Sequence, residues 1–411
     1  MSEVQTLTEK WDDVLNAPKV APIQDEHRAR VTAQLLENQS QNLSESTNET
    51  GNADQWNPII MSMVRRITPR LIAHDIVGVQ PLTLPTGLIF CLKARYANDP
   101  AKASNDRSLP EAMGIDEVNA GYSGDKTANV DTTNTFGGAN SFRRGGAMTT
   151  AEGEQSTAWN AMGVSIEKTT VTTGTRQLRA DYSQEIAEDM KRVHGLSADS
   201  ELVNTISNEI TAEMNRELLD KLYVSAKQGA QWAATKGTID LTADVGGRWS
   251  AERFRGLMFA IDRDANRIAL ETRRGKGNKL IVSADVASAL AFAGIMTYAP
   301  AIQAQTKLSV DPSGATFVGT MGTYSVYVDP YAVGDGYLVG YKGQDATDAG
   351  LFYCPYIPLT LSRAVNPQNF QMALGFKTRY GFAVNPFVSS TNTLVAGANP
   401  YYRAVAIEGL L

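Results

Sequence analysis

Leu202, Ile206, Ile210, Met214, Leu218 and Leu222 recur at every fourth position, behind Ser197 and the acids Asp199 and Glu201. Apolar residues at that spacing line one face of an α-helix. Ser197 can cap the first turn, where the two acids suit the positive end of the helix dipole. Unbroken from Ser197 to Gln228, such a helix is about 48 Å long at about 1.5 Å per residue. An average globular helix has only about 11–12 residues. A rod of that length stiffens a flat protein, and the rest of the chain has to be arranged along it.

The segments around the rod alternate between the two regular periods. Val164–Leu178 alternates β-branched and polar residues and reads as a strand, and Tyr182–Val193 reads as a helix stopped at His194-Gly195. Trp249–Thr272 is a second long helix, with Phe254, Leu257, Met258, Ile261 and Ala265 on one face. It ends in RRGKGN (Arg273–Asn278), followed by the strand KLIVS and a helix over Ala284–Ala293. That order predicts a separate α/β subdomain. The final third is strand-rich, at Thr323–Val328, Gly336–Tyr341, Gly350–Tyr356 and Phe370–Val384. Upstream, Met61–Ala73 reads as a helix that stops at Pro69. Leu71–Tyr96 is apolar and broken by Gly78, Pro81, Pro85 and Gly87, which predicts short buried strands joined by tight turns.

Two segments do not fit a packed domain. Ala97–Gly163 has 67 residues with nine glycines, many Asn, Asp, Ser and Thr, and little periodicity. Structureless loops beyond about 12–15 residues are uncommon inside a compact domain, so this one is either a mobile insertion or an arm that orders on a partner. The other is the N-terminus. Val4, Leu7, Trp11 and Leu15 make one amphipathic helix candidate, and Ile23, His27, Val31 and Leu35 make a second. Residues 38–55 are almost wholly polar and read as a flexible linker. The expectation is a detachable acidic arm outside the core.

Charge sharpens that reading. Residues 1–55 hold ten acids and four bases and so carry the whole net charge of −6. The neutral remainder lacks the basic excess of a protein that binds nucleic acid by neutralising phosphates. No stretch approaches 18 consecutive apolar residues, and the acidic N-terminus has no basic-then-apolar order, which argues against secretion or membrane insertion. Cys91 and Cys354 are too few for a disulfide framework and read as buried thiols.

Catalytic and metal chemistry find no footing. His27, His74 and His194 each lack a second ligand at metal-site spacing. RRGKGN lacks the glycine-lysine-hydroxyl order of a phosphate loop and follows a helix instead of opening one, so it reads as a basic helix end. Glu152 and Glu154 sit where nothing would raise a carboxylate pKa. No catalytic residue, cofactor or metal is expected.

Leu71–Tyr96 (LIAHDIVGVQPLTLPTGLIFCLKARY) resembles the corresponding segment of the major capsid proteins of T-even-type tailed bacteriophages. So do Leu178–Leu202, Gly247–Asp262, Asp348–Thr360 and Asn369–Phe387, in the family's order, and LLENQ (Leu35–Gln39) resembles its precursor region. The resemblance implies an α+β chain of the Hong Kong 97-type capsid fold. Its parts would be a scaffold-binding arm removed on maturation (1–45), linker and first peripheral strands (46–96), and an extended loop (97–163). The peripheral domain with its spine helix (164–228), an axial domain (229–343) and peripheral return strands with a C-terminal segment (344–411) would follow. Ala97–Gly163 is much shorter than in the larger members, which carry an inserted domain there.

The same resemblance implies a virion protein, assembled in the bacterial host cytoplasm, whose hexamers enclose double-stranded DNA without reading its sequence. Implied partners are further copies of itself, a scaffold or core protein, a prohead protease and a portal. A vertex paralogue and decoration proteins stay open. A protease cutting after Glu in the pattern Leu or Ile, any residue, Glu finds Glu37 and Glu45, and the linker reading favours Glu45. Phe136, Phe142 and Trp159 are candidate anchors of the loop on a neighbour, and Arg143 and Arg144 candidate intersubunit ion-pair donors. A non-viral shell of the same fold, and a soluble enzyme with an unrecognised site, are the alternatives.

Overall fold

The computed structural model describes residues 7–16, 23, 25–46, 71–96, 123, 148–155, 159, 161–242, 250–298, 316–345, 348–365, 371–388 and 394–410. In chain order the helices are α1 (Asp12–Leu15), α2 (Glu26–Ser46), α3 (Ala73–Ile76), α4 (Thr150–Gln155), α5 (Gln184–Asp189), α6 (Ala198–Ser225), α7 (Ser250–Thr272) and α8 (Ala284–Phe292). The strands are β1 (Gly78–Val79), β2 (Thr86–Tyr96), β3 (Met162–Thr172), β4 (Gly174–Tyr182), β5 (Ala226–Gln228), β6 (Thr238–Asp240), β7 (Lys279–Ser283), β8 (Thr297–Tyr298), β9 (Thr316–Met321), β10 (Tyr324–Asp329), β11 (Gly336–Gly340), β12 (Leu351–Val365), β13 (Met372–Val384) and β14 (Asn399–Glu408). Helices and strands mix as an α+β chain. Its contacts divide into one unit of Met1–Ile89, Thr169–Ile268 and Gly275–Leu411, and a second of Phe90–Lys168 and Ala269–Arg274.

Helix α6 is the expected rod, shorter than its sequence suggests. It has 28 residues, about 42 Å. Ala226 turns extended (φ −61°, ψ 137°), and the last expected turn becomes strand β5, paired with β14. Ser197 is the N-cap residue, but its hydroxyl bonds Ser200 and not a backbone N–H. Ile206, Ile210, Met214, Leu218 and Leu222 are buried, and Leu202 packs against the same cluster. Helix α5 runs on into a π-helical turn, Met190–His194, which stops as expected at a left-handed Gly195 (φ 66°).

Two sheets share the first unit. The smaller runs β1-β12-β13-β4. Its β12, β13 and β4 are antiparallel, and β1 is parallel to β12 with Gly78 opposite Phe352. The larger runs β5-β14-β11-β7-β10-β9-β8, with β6 also on β14. Its centre reads as the unbroken apolar run KLIVS because both faces are covered. On one face Leu280, Val282, Tyr337, Val339, Val405 and Ile407 pack with Leu257, Ile261 and Ile268 of α7 and Leu290 of α8. On the other, Ile281, Leu338 and Tyr402 join Leu218, Leu219 and Leu222 of α6.

Residues 344–411, expected as return strands with a C-terminal segment, divide between the two sheets: β12 and β13 lie in the smaller one, whereas β14 lies inside the larger one, between β11 and β5. One sequence expectation is corrected: the N-terminal arm is not separate from the core. Trp11, Leu15, Val31, Leu35 and Leu36 are buried in the cluster that holds Leu218. Residues 38–46, read as linker, continue α2. Asn38 explains part of that, since its side-chain amide donates to the backbone oxygens of Leu82 (2.8 Å) and Tyr356 (2.9 Å). A polar side chain that finds buried carbonyls stabilises a helix face as an apolar one does. The expected helix Met61–Ala73 falls almost wholly outside the described residues.

A buried carboxylate fixes the join between β5 and α7. Asp264 is 1% exposed and accepts the Ala230 N–H (3.0 and 3.2 Å) and the Tyr337 hydroxyl (2.8 Å). Ala230 is left-handed (φ 45°), and a Cβ on Gly229 would come within 2.4 Å of Val405 and 2.7 Å of Asp264. Removing the carboxylate strands both donors. Asp264→Ala is therefore expected to destabilise the subunit by about 2–3 kcal/mol, and Tyr337→Phe by about 1 kcal/mol, both read as lower urea midpoints.

A second carboxylate carries a pH-dependent share of the subunit's stability. Glu217 of α6 meets Arg176 of β4 (2.6 Å) and the Tyr380 hydroxyl of β13 (2.6 Å). Burial raises its pKa, but the bonds from Tyr380, Arg176 and Lys221 outweigh that and lower it from 4.5 to about 2. The folded value lies below the unfolded one, so this stability is complete above about pH 4.5 and is lost as pH falls toward 2. Urea titrations at stepped pH are expected to show a shallower decline across that range in Glu217→Gln than in the parent.

Candidate interaction surfaces

Strands β2 and β3 form a two-stranded sheet of their own. Successive side chains alternate between faces, and here the alternation leaves one face apolar and bare. Leu88, Phe90 and Leu92 are 43, 60 and 64% exposed on β2, and Met162, Val164 and Ile166 are 53, 64 and 70% exposed on β3. Lys93 and Glu167 form a partly buried ion pair at 2.9 Å. The root of the hairpin is anchored by Ile89 and Val171, which pack with Leu82, Phe352, Cys354 and Ala383. Gly381 permits that approach: a Cβ there would lie 2.7 Å from the Thr172 carbonyl oxygen. The expectation of short buried strands over Leu71–Tyr96 is thus corrected. Ala73–Ile76 is a helical turn, β1 is short, and β2 is one long strand with Leu88, Phe90 and Leu92 outward and Ile89 inward.

Trp159, a sequence candidate for anchoring the loop, is 85% exposed. Phe136, Phe142, Arg143 and Arg144 lie outside the described residues. Glu152 is in α4, where it accepts hydrogen bonds from the Thr149 N–H (3.0 Å) and hydroxyl (2.8 Å) as part of a helix cap.

Both candidate cleavage residues lie in α2. Glu37 is mid-helix and half-buried, accepting from Lys10 (2.8 Å) and from the Trp11 ring nitrogen (3.0 Å). Burial raises its carboxyl, and those two bonds outweigh that and hold it below the usual range. Glu45 is the next-to-last residue of the helix. The linker reading of its surroundings does not hold, but its place at a helix end does separate it from Glu37.

The remaining sequence candidates are RRGKGN and the three histidines. RRGKGN follows α7 with Arg273 left-handed (φ 54°), and Lys276 pairs with Asp262, which also accepts the Tyr324 hydroxyl (2.8 Å). His74 is buried, His27 half-buried and His194 exposed. Among the described residues no three metal-ligating side chains cluster, and no helix is long and apolar enough to cross a membrane. The apolar hairpin face escaped sequence reading, although the exposed residues do alternate with period two at positions 88, 90 and 92 and at 162, 164 and 166.

Comparison with known proteins accounts for nearly the whole chain. The family described as major capsid protein Gp23 matches residues 53–407. The major capsid protein of Salmonella phage ViI is 37% identical over 99% of this chain and 98% of its own length. That of Serratia phage KSP90 is 38% identical with the same coverage, and that of Enterobacteria phage T4 is 34% identical over 88% of this chain and 84% of its own. Among solved structures, the capsid of Myoviridae phage XM1 aligns over 82% of this chain and 91% of its own, at 10% identity and a TM-score of 0.43. The matched length and identity leave one conclusion: the chain belongs to the Gp23 family of phage major capsid proteins.

Proposed function

We propose that the chain forms hexameric capsomers that close into an icosahedral or prolate head around double-stranded DNA, on the Hong Kong 97-type plan. As a member of the major capsid family it is a structural protein of the virion shell, and it assembles with copies of itself. The finer reading rests chiefly on the bare apolar face of the β2–β3 hairpin. Contiguous exposed apolar surface on a soluble chain marks a place where something else packs, and in a shell that partner is a neighbouring copy. Trp159 would add to the contact, with Phe136, Phe142, Arg143 and Arg144 following in the loop between. The neutral body beyond residue 55 suits an inner wall that neither grips DNA nor repels its own copies. A scaffold, a portal and a prohead protease are the further partners of this reading.

Phe90→Asp with Ile166→Asp tests the hairpin. Both side chains face solvent in the free subunit, so its unfolding midpoint is expected to change by under about 0.5 kcal/mol. Particles are expected to be lost in size-exclusion chromatography and negative-stain images. Normal particles from the double variant would remove the hairpin from the assembly contact.

The arm would be cut after Glu45. A protease needs an extended segment, and the last turn of a helix frays more readily than a mid-helix glutamate held by Lys10 and Trp11. The cut would remove eight acids and four bases, leaving a subunit of net charge −2. N-terminal sequencing of mature particles is expected to begin at Ser46. A start at Asn38 would move the cut to Glu37, and an intact Met1 or Ser2 would show that the arm stays.

A further inference from the structure

Arm and body meet in a knot of charge. Asp25, His27, Arg28 and Arg30 come from the arm, and His74, Asp75, Lys279 and Lys342 from the body. Arg28 is paired with Asp75 and, at 3.3 Å, with Asp25. The Lys342 ammonium donates to the His74 backbone oxygen. Within this knot the His74 side chain is buried, and among the described residues neither of its ring nitrogens has a hydrogen-bond partner. The Nε2 of His27 is buried and unpartnered in the same way. Leu35 of α2 lines the same pocket as His74, so the arm helix covers the ring.

Buried polar groups without partners are rare and call for an explanation. A neutral imidazole tolerates this site, but an imidazolium would not. It would hold two unpaired donors beside Arg28, Lys342 and His27, with Asp25 the carboxylate that favours it and Asp75 already engaged by Arg28. Two of those three neighbours, Arg28 and the titratable His27, leave with the arm, and so does part of the cover. We propose that this cluster is a proton-sensitive latch, holding the N-terminal arm on the body at neutral pH and releasing it in acid.

The direction follows from the shifts. Burial, then Arg28, Lys342 and His27, lowers the His74 pKa from 6.5 to about 3, against Asp25. Burial likewise lowers that of His27, with Lys342 and Arg30 acting the same way and Asp25 and the Val79 backbone opposing. A latched value below the released one means full retention above about pH 6.5. Retention then weakens as pH falls toward 3, by up to about tenfold per pH unit for each histidine. A consequence for maturation is that cutting the chain and releasing the arm are separate events. Trp11, Leu15, Val31, Leu35 and Leu36 hold the arm by burial whether or not the backbone beyond it is intact. The latch therefore stands or falls independently of the cleavage site.

Hydrogen exchange of the unassembled full-length subunit tests it, with protection factors corrected for the intrinsic pH dependence. Protection over residues 31–41 is expected to fall about tenfold between pH 6 and pH 5, while that of β13 holds. His74→Phe is expected to keep the arm protected at pH 5, and His27→Gln to reduce the fall. Arm protection that is level from pH 8 to pH 5 overturns the proposal. So does a fall that β13 shares, which is general acid unfolding, or an unchanged slope in His74→Phe. Should His74→Phe not fold, His74→Gln substitutes for it, since an amide takes up no proton in this range, and an undiminished acid-induced loss in that variant overturns the latch.

Discussion

One stretch of α6 holds both sheets of the first unit. Leu218, Leu219 and Leu222 are buried where the two sheets share a cluster. Either side of them are polar ties of opposite destination. Glu217 reaches Arg176 and Tyr380 on the smaller sheet, and Arg216 (3.2 Å) and Tyr223 (3.2 Å) reach Asp329 at the end of β10 on the larger. The apolar residues supply the driving force for burial. The ties add little net energy but fix which way the helix is turned, because a carboxylate as buried as Asp329 cannot be left without its partners.

The same two-faced strand geometry has opposite outcomes in two of the sheets. In β7, β11 and β14 both faces find cover within the chain, and the strands form the centre of a core. In the β2–β3 hairpin one face is left bare. Nothing in the local sequence tells these cases apart, since Leu-Ile-Phe-Cys-Leu and Lys-Leu-Ile-Val-Ser both read as buried strand. What differs is whether distant segments return to cover them.

That difference sets what was legible. The rod, the second long helix, KLIVS and the helix after it were readable because their periodicity is local and unbroken. The Gly195 stop was readable because a left-handed residue ends a helix. Strand β14 was not, since Asn399-Pro400 looks like a turn and its place depends on β5, β6 and β11, all distant in sequence. The last turns of α2 were lost to composition: Asn, Gln and Ser suggest a linker until Asn38 is seen bonding Leu82 and Tyr356. The hairpin could be found as a strand but not as an exposed one. The histidine cluster was invisible, because His27, His74 and Lys342 converge only in three dimensions.

The position of β14 bears on how the polypeptide is made. It is synthesised after every other described strand, yet it is inserted between β11 and β5 and also carries β6. Until it emerges from the ribosome, the edges of those three strands are unpaired and Val339 and Ile281 lack their full cover. Pairings between distant segments form slowly, and open strand edges in a nascent chain invite aggregation. The larger sheet therefore closes only after translation has passed residue 408, and a subunit interrupted earlier offers its neighbours an unfinished edge where a finished wall is needed.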